Sequence, residues 1–191
     1  MSRTRRGVAV NTQLGSTLFK LAIPAAAILI VLLVTRLRGI SWGDDLGLRR
    51  PKAATLGAWL VAWLGWIVVG EALIRTYGLD QAQPWPDYPP LIIVLRILAI
   101  GMDGPLAEEI VMRGIVWHRL HRILGNPHAA IGIVAILWAA MHYRYGPGTI
   151  LLIVADGVLL GYARYRGGSL WIPILMHMLA NLTSIGQSLL A

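Results

Sequence analysis

The stretch "LIIVLRILAIGMDGPLAEEIVMRGIVWHRL" occupies Leu91 to Leu120. It begins as an apolar run, passes "DGP", and then carries Glu108, Glu109 and Arg113 in close succession. A charge at bilayer depth costs about 2.5–3.5 kcal/mol on insertion scales, so charges there are functional candidates by default. On a helix, Glu109 and Arg113 are i,i+4 neighbours with the acid on the N-terminal side, the favourable order for an ion pair. Glu108 is turned by about 100° from Glu109 and does not share that arrangement. The spacing therefore divides the two acids. Glu109 has a partner on its own helix, and Glu108 is left to point elsewhere. "MDGP" leaves two local readings open. The helix starts afresh near Pro105, or it runs through with a kink.

The rest of the chain makes bilayer depth the right frame. Of 191 residues, 57% are hydrophobic and only 14% charged, against roughly 25% charged in soluble domains. Mean hydropathy is +0.65. The net charge of +8 sits in short segments between apolar runs. The positive-inside bias and anionic headgroups account for it there, so nucleic acid is not expected as a partner. The absence of cysteine excludes disulfides, thiolate metal sites and a thiol protease.

Six apolar runs are expected to form helices, at about Leu18–Val34, Ala53–Ile74, Leu91–Leu124, Ala129–Met141, Thr149–Ala163 and Leu170–Leu190. The N-terminus resembles a signal peptide. Its apolar run is long and is followed by Arg36 and Arg38, so it reads as a retained first span. Residues 1–17 form a basic tail, 18–90 two spans with connectors, and 91–191 the core that carries the chemistry. Basic residues in Arg36–Lys52, Arg119/Arg122 and Arg164/Arg166 fall on one side, read as cytoplasmic. Arg3, Arg5 and Arg6 oppose this reading. Trp117, Tyr143, Tyr145, Tyr162, Tyr165 and Trp171 fall near run ends, as interfacial aromatics do. The Trp59, Trp63, Trp66 stripe reads as lipid or helix packing.

Other polar groups interrupt the runs: Glu71, Arg96, Asp156, His142, His177 and Asn181. Taken alone, His142 beside Tyr143 reads as an interfacial histidine. His177 and Asn181, i,i+4 on one apolar helix, read as helix–helix glue. Counted along the helices at 1.5 Å per residue, Glu108, His142 and His177 lie roughly 10–20 Å in from one face, which brings a carboxylate and two imidazoles to similar depth. Asp156 precedes Gly157 and Gly161, a small-xxx-small pair suited to close packing. It is a candidate to pair with Arg96 or to line a cavity.

Three motifs in order, Glu108-Glu109-xxx-Arg113 with Gly114, Trp138-xxx-His142 and His177-xxx-Asn181, resemble the CPBP family of intramembrane proteases, which includes the type II CAAX prenyl endopeptidases and the Abi-type bacteriocin-processing proteins. Trp138 departs from the family's usual Phe. "DLGLRRP" (Asp45–Pro51) and "RGGSLWIPILMH" are similar to softer family features. The resemblance implies an all-α, polytopic membrane bundle of about six helices, with a conical or cavity-lined active site open to membrane and cytoplasm. It implies an endopeptidase acting on a membrane-anchored peptide or protein, of CAAX type or of leader/bacteriocin type. In it, Glu108 is the general base with His142 beside it, His177 and Asn181 hold the oxyanion, and Glu109 and Arg113 hold the motif helix. No cofactor is favoured. Zinc on Glu108, His142 and His177 is the alternative within the enzyme class. A non-enzymatic scaffold, immunity factor or proton-coupled carrier is the alternative outside it. Membrane lipids are the other expected partners. The cell membrane is the expected location, with the site nearer its cytoplasmic face.

Overall fold

Many of the most apolar side chains point outward, while one pair of full charges is sealed inside. Phe19, Val61, Val68 and Leu151 are about two-thirds exposed, whereas Glu109 and Arg113 are both 0% exposed. That inversion suits a chain whose outer solvent is lipid. The computed structural model describes residues 3–190, with side chains from Thr12 outward and Asn11 included. Met1, Ser2, Ala191 and the side chains of Arg3, Arg5 and Arg6 lie outside the described residues.

Among the described residues the chain forms helices and no strand. In chain order they are α1 (Arg3–Arg38), α2 (Ala53–Tyr77), α3 (Pro90–Leu124), α4 (Pro127–Ala140), α5 (Pro147–Gly167) and α6 (Trp171–Leu190). These match the six expected runs, and the protein is an integral membrane protein. Four helices are long and apolar enough to cross a membrane: α2, α3, α5, and α1 over Asn11–Arg38. Helix α4 is a shorter apolar helix: its 14 residues reach only ~21 Å, short of the ~30 Å hydrocarbon core. Helix α6 has 20 residues, but His177, Asn181, Thr183, Gln187 and Ser188 dilute its apolar character.

Glycine sets the closest helix contact. A Cβ on Gly157 would lie 2.9 Å from Ala135 Cα, and one on Gly161 would lie 2.8 Å from Ile131 Cγ2. The small-xxx-small pair therefore lets α5 seat against α4 backbone to backbone, as expected.

The α1–α2 connector docks on the α5–α6 turn. Leu170 N–H donates to Gly47 O at 2.7 Å, Arg49 Nε to Gly168 O at 2.8 Å, and Ser169 Oγ to Arg49 O at 2.6 Å. Gly47 has φ +77° and its α-carbon is covered by the Arg164 guanidinium, so this turn needs glycine both for its backbone and for the close approach. Arg164 also lies over Trp117, 5.2 Å from the ring centroid. The three basic segments thus meet at one end of the bundle. Trp117 is 5% exposed, which corrects its reading as an interfacial anchor.

At the opposite end, Gly146 N–H donates to Asp80 Oδ2 at 2.6 Å and Asp80 N–H to Thr149 Oγ1 at 3.2 Å. Trp85 N–H donates to Ser188 O at 3.0 Å. The proline-rich connector is tied by these bonds to α5 and α6. Arg96 does not pair with Asp156. It lies under Trp85 and Tyr88, 5.4 and 4.7 Å from their ring centroids. Glu71 accepts from Arg75 at 2.6 Å and from Gln187 Nε2 at 2.9 Å, joining α2 to α6.

Candidate active site

Helix α3 passes through "MDGP" without a break. Pro105 is absorbed by a π-helical segment, Ala99–Asp103, in which Gly104 N–H reaches back five residues to Ala99 O. The next bond in that register would run from residue 105 to Ile100 O, and proline has no N–H to make it. Asn181 Nδ2 from α6 donates to Ile100 O at 2.8 Å instead. A side chain from another helix thus supplies the donor that Pro105 lacks. A second π-helical segment, Ile110–Val116, follows the two glutamates. Single π turns inside α-helices occur frequently at functional sites.

Between these segments the two acids diverge. Glu109 Oε1 accepts from Arg113 Nη1 at 2.8 Å and lies 2.9 Å from His177 Nδ1. The i,i+4 pair expected from the sequence is formed. Arg113 Nη2 also donates to Gly157 O at 3.2 Å, and its Cζ sits 4.7 Å from the Trp138 ring centroid. Breaking such a buried pair by removing one partner costs about 3–5 kcal/mol, because the remaining charge is left without a counterion. Glu108 takes none of this. Its Oε2 accepts from Trp138 Nε1 at 2.7 Å.

Trp138 gathers the rest. Its ring meets His142 edge-on at 5.0 Å and His177 at 5.2 Å, and its carbonyl lies 3.0 Å from His142 Nδ1. Three helices therefore bring Glu108, His142 and His177 around one indole. His142 lies just past the last residue of α4 and His177 is within the second turn of α6, and the indole is their common point.

His142, His177 and Asn181 line a cavity of about 210 Å³ together with Trp63, Trp138, Tyr145 and Asp156. Asp156 accepts from Trp66 Nε1 at 2.5 Å. Tyr145 and Thr149 extend the lining. Among the described residues no three His, Asp or Glu side chains are gathered so as to hold a metal ion. Glu108, His142 and His177 thus share an indole without forming a ligand set.

Residues 89–183 match the model of the Rce1-like family, type II CAAX prenyl endopeptidases. The chain belongs to this family. The Rce1-like segment contains every motif residue of the site and omits α1 and α2. The chain is similar to the Membrane-embedded CAAX protease MroQ of Staphylococcus aureus, with 30% identity over 154 residues, covering 72% of this chain and 60% of that protein. It is similar to an uncharacterized 24.3 kDa protein of Escherichia coli, with 29% identity over 131 residues, covering 66% of this chain and 59% of that protein. The chain thus spans about three-fifths of the length of these relatives. No solved structure matches it.

Sequence reasoning missed three parts of the site. The His177–Glu109 and Asn181–Ile100 bonds cross between helices, and spacing along one helix carries no trace of them. The third is α2. Trp63 and Trp66 reach the cavity wall, and their i,i+3 spacing amid apolar residues was the signal available for it.

Proposed function

We propose that the protein is an intramembrane endopeptidase in which Glu108 activates water. The observation that carries this reading is the division of labour between adjacent acids. Glu109 is immobilised by Arg113 and His177, while Glu108 is held through one oxygen by the Trp138 indole. The second Glu108 oxygen has no protein partner and is not sealed off, so it is available to a water.

In this scheme Glu108 takes a proton from water, with His142 orienting it, as the oxygen attacks the scissile carbonyl carbon. The developing oxyanion is held by the hydrogen of Asn181 Nδ2 not used by Ile100, and by His177. For this role His177 carries a proton on each ring nitrogen, donating Nδ1–H to Glu109 and Nε2–H to the oxyanion. Collapse of the tetrahedral intermediate breaks the C–N bond, and the proton held by Glu108 passes to the leaving amine. Products are a carboxylic acid and an amine, and proton exchange between them leaves a carboxylate and an ammonium. The scheme assigns no step to a metal ion.

The substrate is a peptide segment of a membrane-anchored protein, of CAAX or leader type. Membership of the Rce1-like family and similarity to a staphylococcal CAAX protease support this class. The protein resides in the cell membrane with its basic end in the cytoplasm and the reactive groups nearer that face. The test is cleavage of a membrane-anchored peptide in proteoliposomes by the wild type and by Glu108→Gln. We expect product from the first and a loss of about 10²–10⁴-fold in the second. Equal product from both sinks the proposal.

A further inference from the structure

The cavity wall holds a carboxylate that no family motif claims. Asp156 spends one oxygen on Trp66 Nε1. Its other oxygen has no protein partner and is not sealed off. No cation of the described residues lies within ion-pair distance of it, and Arg113 is committed to Glu109. The surrounding wall includes Trp63, Trp138 and Tyr145. A carboxylate oxygen among aromatic faces is the chemistry that recognises a cation, through charge-assisted hydrogen bonding and ring quadrupoles together.

A further observation narrows the ligand. The volume of about 210 Å³ lies below the ~300–1,000 Å³ of sites that enclose whole small ligands. It suits one side chain entering beside a peptide bond.

We propose that Asp156 is the specificity carboxylate of a subsite that admits a Lys or Arg side chain of the substrate next to the scissile bond. The ammonium or guanidinium meets the open Asp156 oxygen and the aromatic walls. His142, His177 and Asn181 line the same cavity, so the cation is read within reach of the reacting carbonyl. This deepens the protease reading and rests on it for the word substrate.

The test uses the full chain in proteoliposomes and pairs of membrane-anchored peptides that differ only in Lys against norleucine, at positions on either side of the cleaved bond. At one position the wild type should favour Lys by about tenfold or more in kcat/KM, the worth of one charge-assisted hydrogen bond. Asp156→Asn keeps an acceptor for Trp66 and removes the charge, and the Lys-to-norleucine ratio should fall to near one. Trp66→Phe removes the indole donor and keeps the charge, and the ratio should persist. A wild type with no preference, an Asp156→Asn protein that keeps it, or a Trp66→Phe protein that loses it equally overturns the proposal. Calorimetry of n-butylammonium against n-butanol supplies a readout without catalysis. Saturable binding of the ammonium alone, lost in Asp156→Asn, supports the cation site even if no peptide is cleaved, in which case only the protease reading fails. Equal binding by both proteins counts against the site.

Discussion

His177 Nδ1 lies 2.9 Å from Glu109 Oε1, the same oxygen that Arg113 Nη1 reaches at 2.8 Å. One carboxylate atom thus ties α3 to α6, and through the Arg113 bond to Gly157 O the same cluster reaches α5. Replacing Glu109 should therefore damage the fold and replacing Glu108 should damage the chemistry. Glu109→Gln is expected to lose about 3–5 kcal/mol by leaving Arg113 buried and unpaired. Glu108→Gln should stay close to wild-type stability while losing cleavage. Thermal unfolding in detergent alongside peptide cleavage separates the two.

Trp138→Phe keeps the ring that Arg113, His142 and His177 contact and deletes the N–H that holds Glu108. The expected result is a fall of about tenfold or more in kcat with little change in KM, given ~1.5–3 kcal/mol for a hydrogen bond to a charged group. An unchanged kcat would mean that the indole donor does not position Glu108.

Asn181 and Pro105 should be coupled, because one supplies the donor the other lacks. Asn181→Ala alone leaves Ile100 O without its partner, at a cost of about 1–3 kcal/mol. In a Pro105→Ala background a backbone N–H is available again, and the stability cost of Asn181→Ala should shrink. A double-mutant cycle on unfolding free energy measures this, and strict additivity would refute the coupling. Cleavage should stay low in both Asn181→Ala proteins if Asn181 also holds the oxyanion.

The α4–α5 seam should reject even one methyl group. Gly157→Ala puts a Cβ 2.9 Å from the Ala135 backbone and should cost about 1–3 kcal/mol through forced backbone shifts. It would also move the carbonyl that Arg113 uses. Gly132→Ala on α4 faces open space and is the control, expected near neutral in the same unfolding assay.

The Asp80 tether carries a pH signature. The Gly146 N–H, followed by the Thr149 hydroxyl, holds the Asp80 carboxyl below its ordinary value of 3.8. A depressed folded-state value means that the tether's contribution is fully present above the unfolded value and is lost as pH falls through the lower folded one. Protection of the Gly146 amide from hydrogen exchange should hold from neutral pH down to about 4 and fall below it. Asp80→Ala should show weak protection at every pH.

Much of this was legible in the sequence, for physical reasons that also mark where it stopped. Apolar runs gave the helices because lipid-facing surfaces need continuous apolarity. The Glu109–Arg113 pair was legible because i,i+4 geometry is a property of one helix, and the Gly157–Gly161 seam because small residues announce close approach. The fate of Pro105 was not legible, since it depends on a donor 76 positions later in the chain (181 − 105). Nor was the burial of Trp117, which depends on Arg164 arriving from α5. Asp156 was noticed as misplaced, but its partner Trp66 lies in the half of the chain that the family motifs do not reach.

The π-helical segment Ala99–Asp103 has a consequence for how this chain tolerates insertions and deletions. A turn closed over five residues holds one more residue than its α-helical counterpart, and one residue is worth about 100° of rotation. The segment therefore works as a phase setting for everything downstream on α3. Removing one residue from it would rotate the remainder of the helix by the angle that separates Glu108 from Glu109. The acid now aimed at Trp138 would be swung away, with its neighbour displaced from Arg113's partners on α5 and α6. Which of the two acids faces Trp138 is thus encoded in the local winding of the helix as much as in the order of its letters.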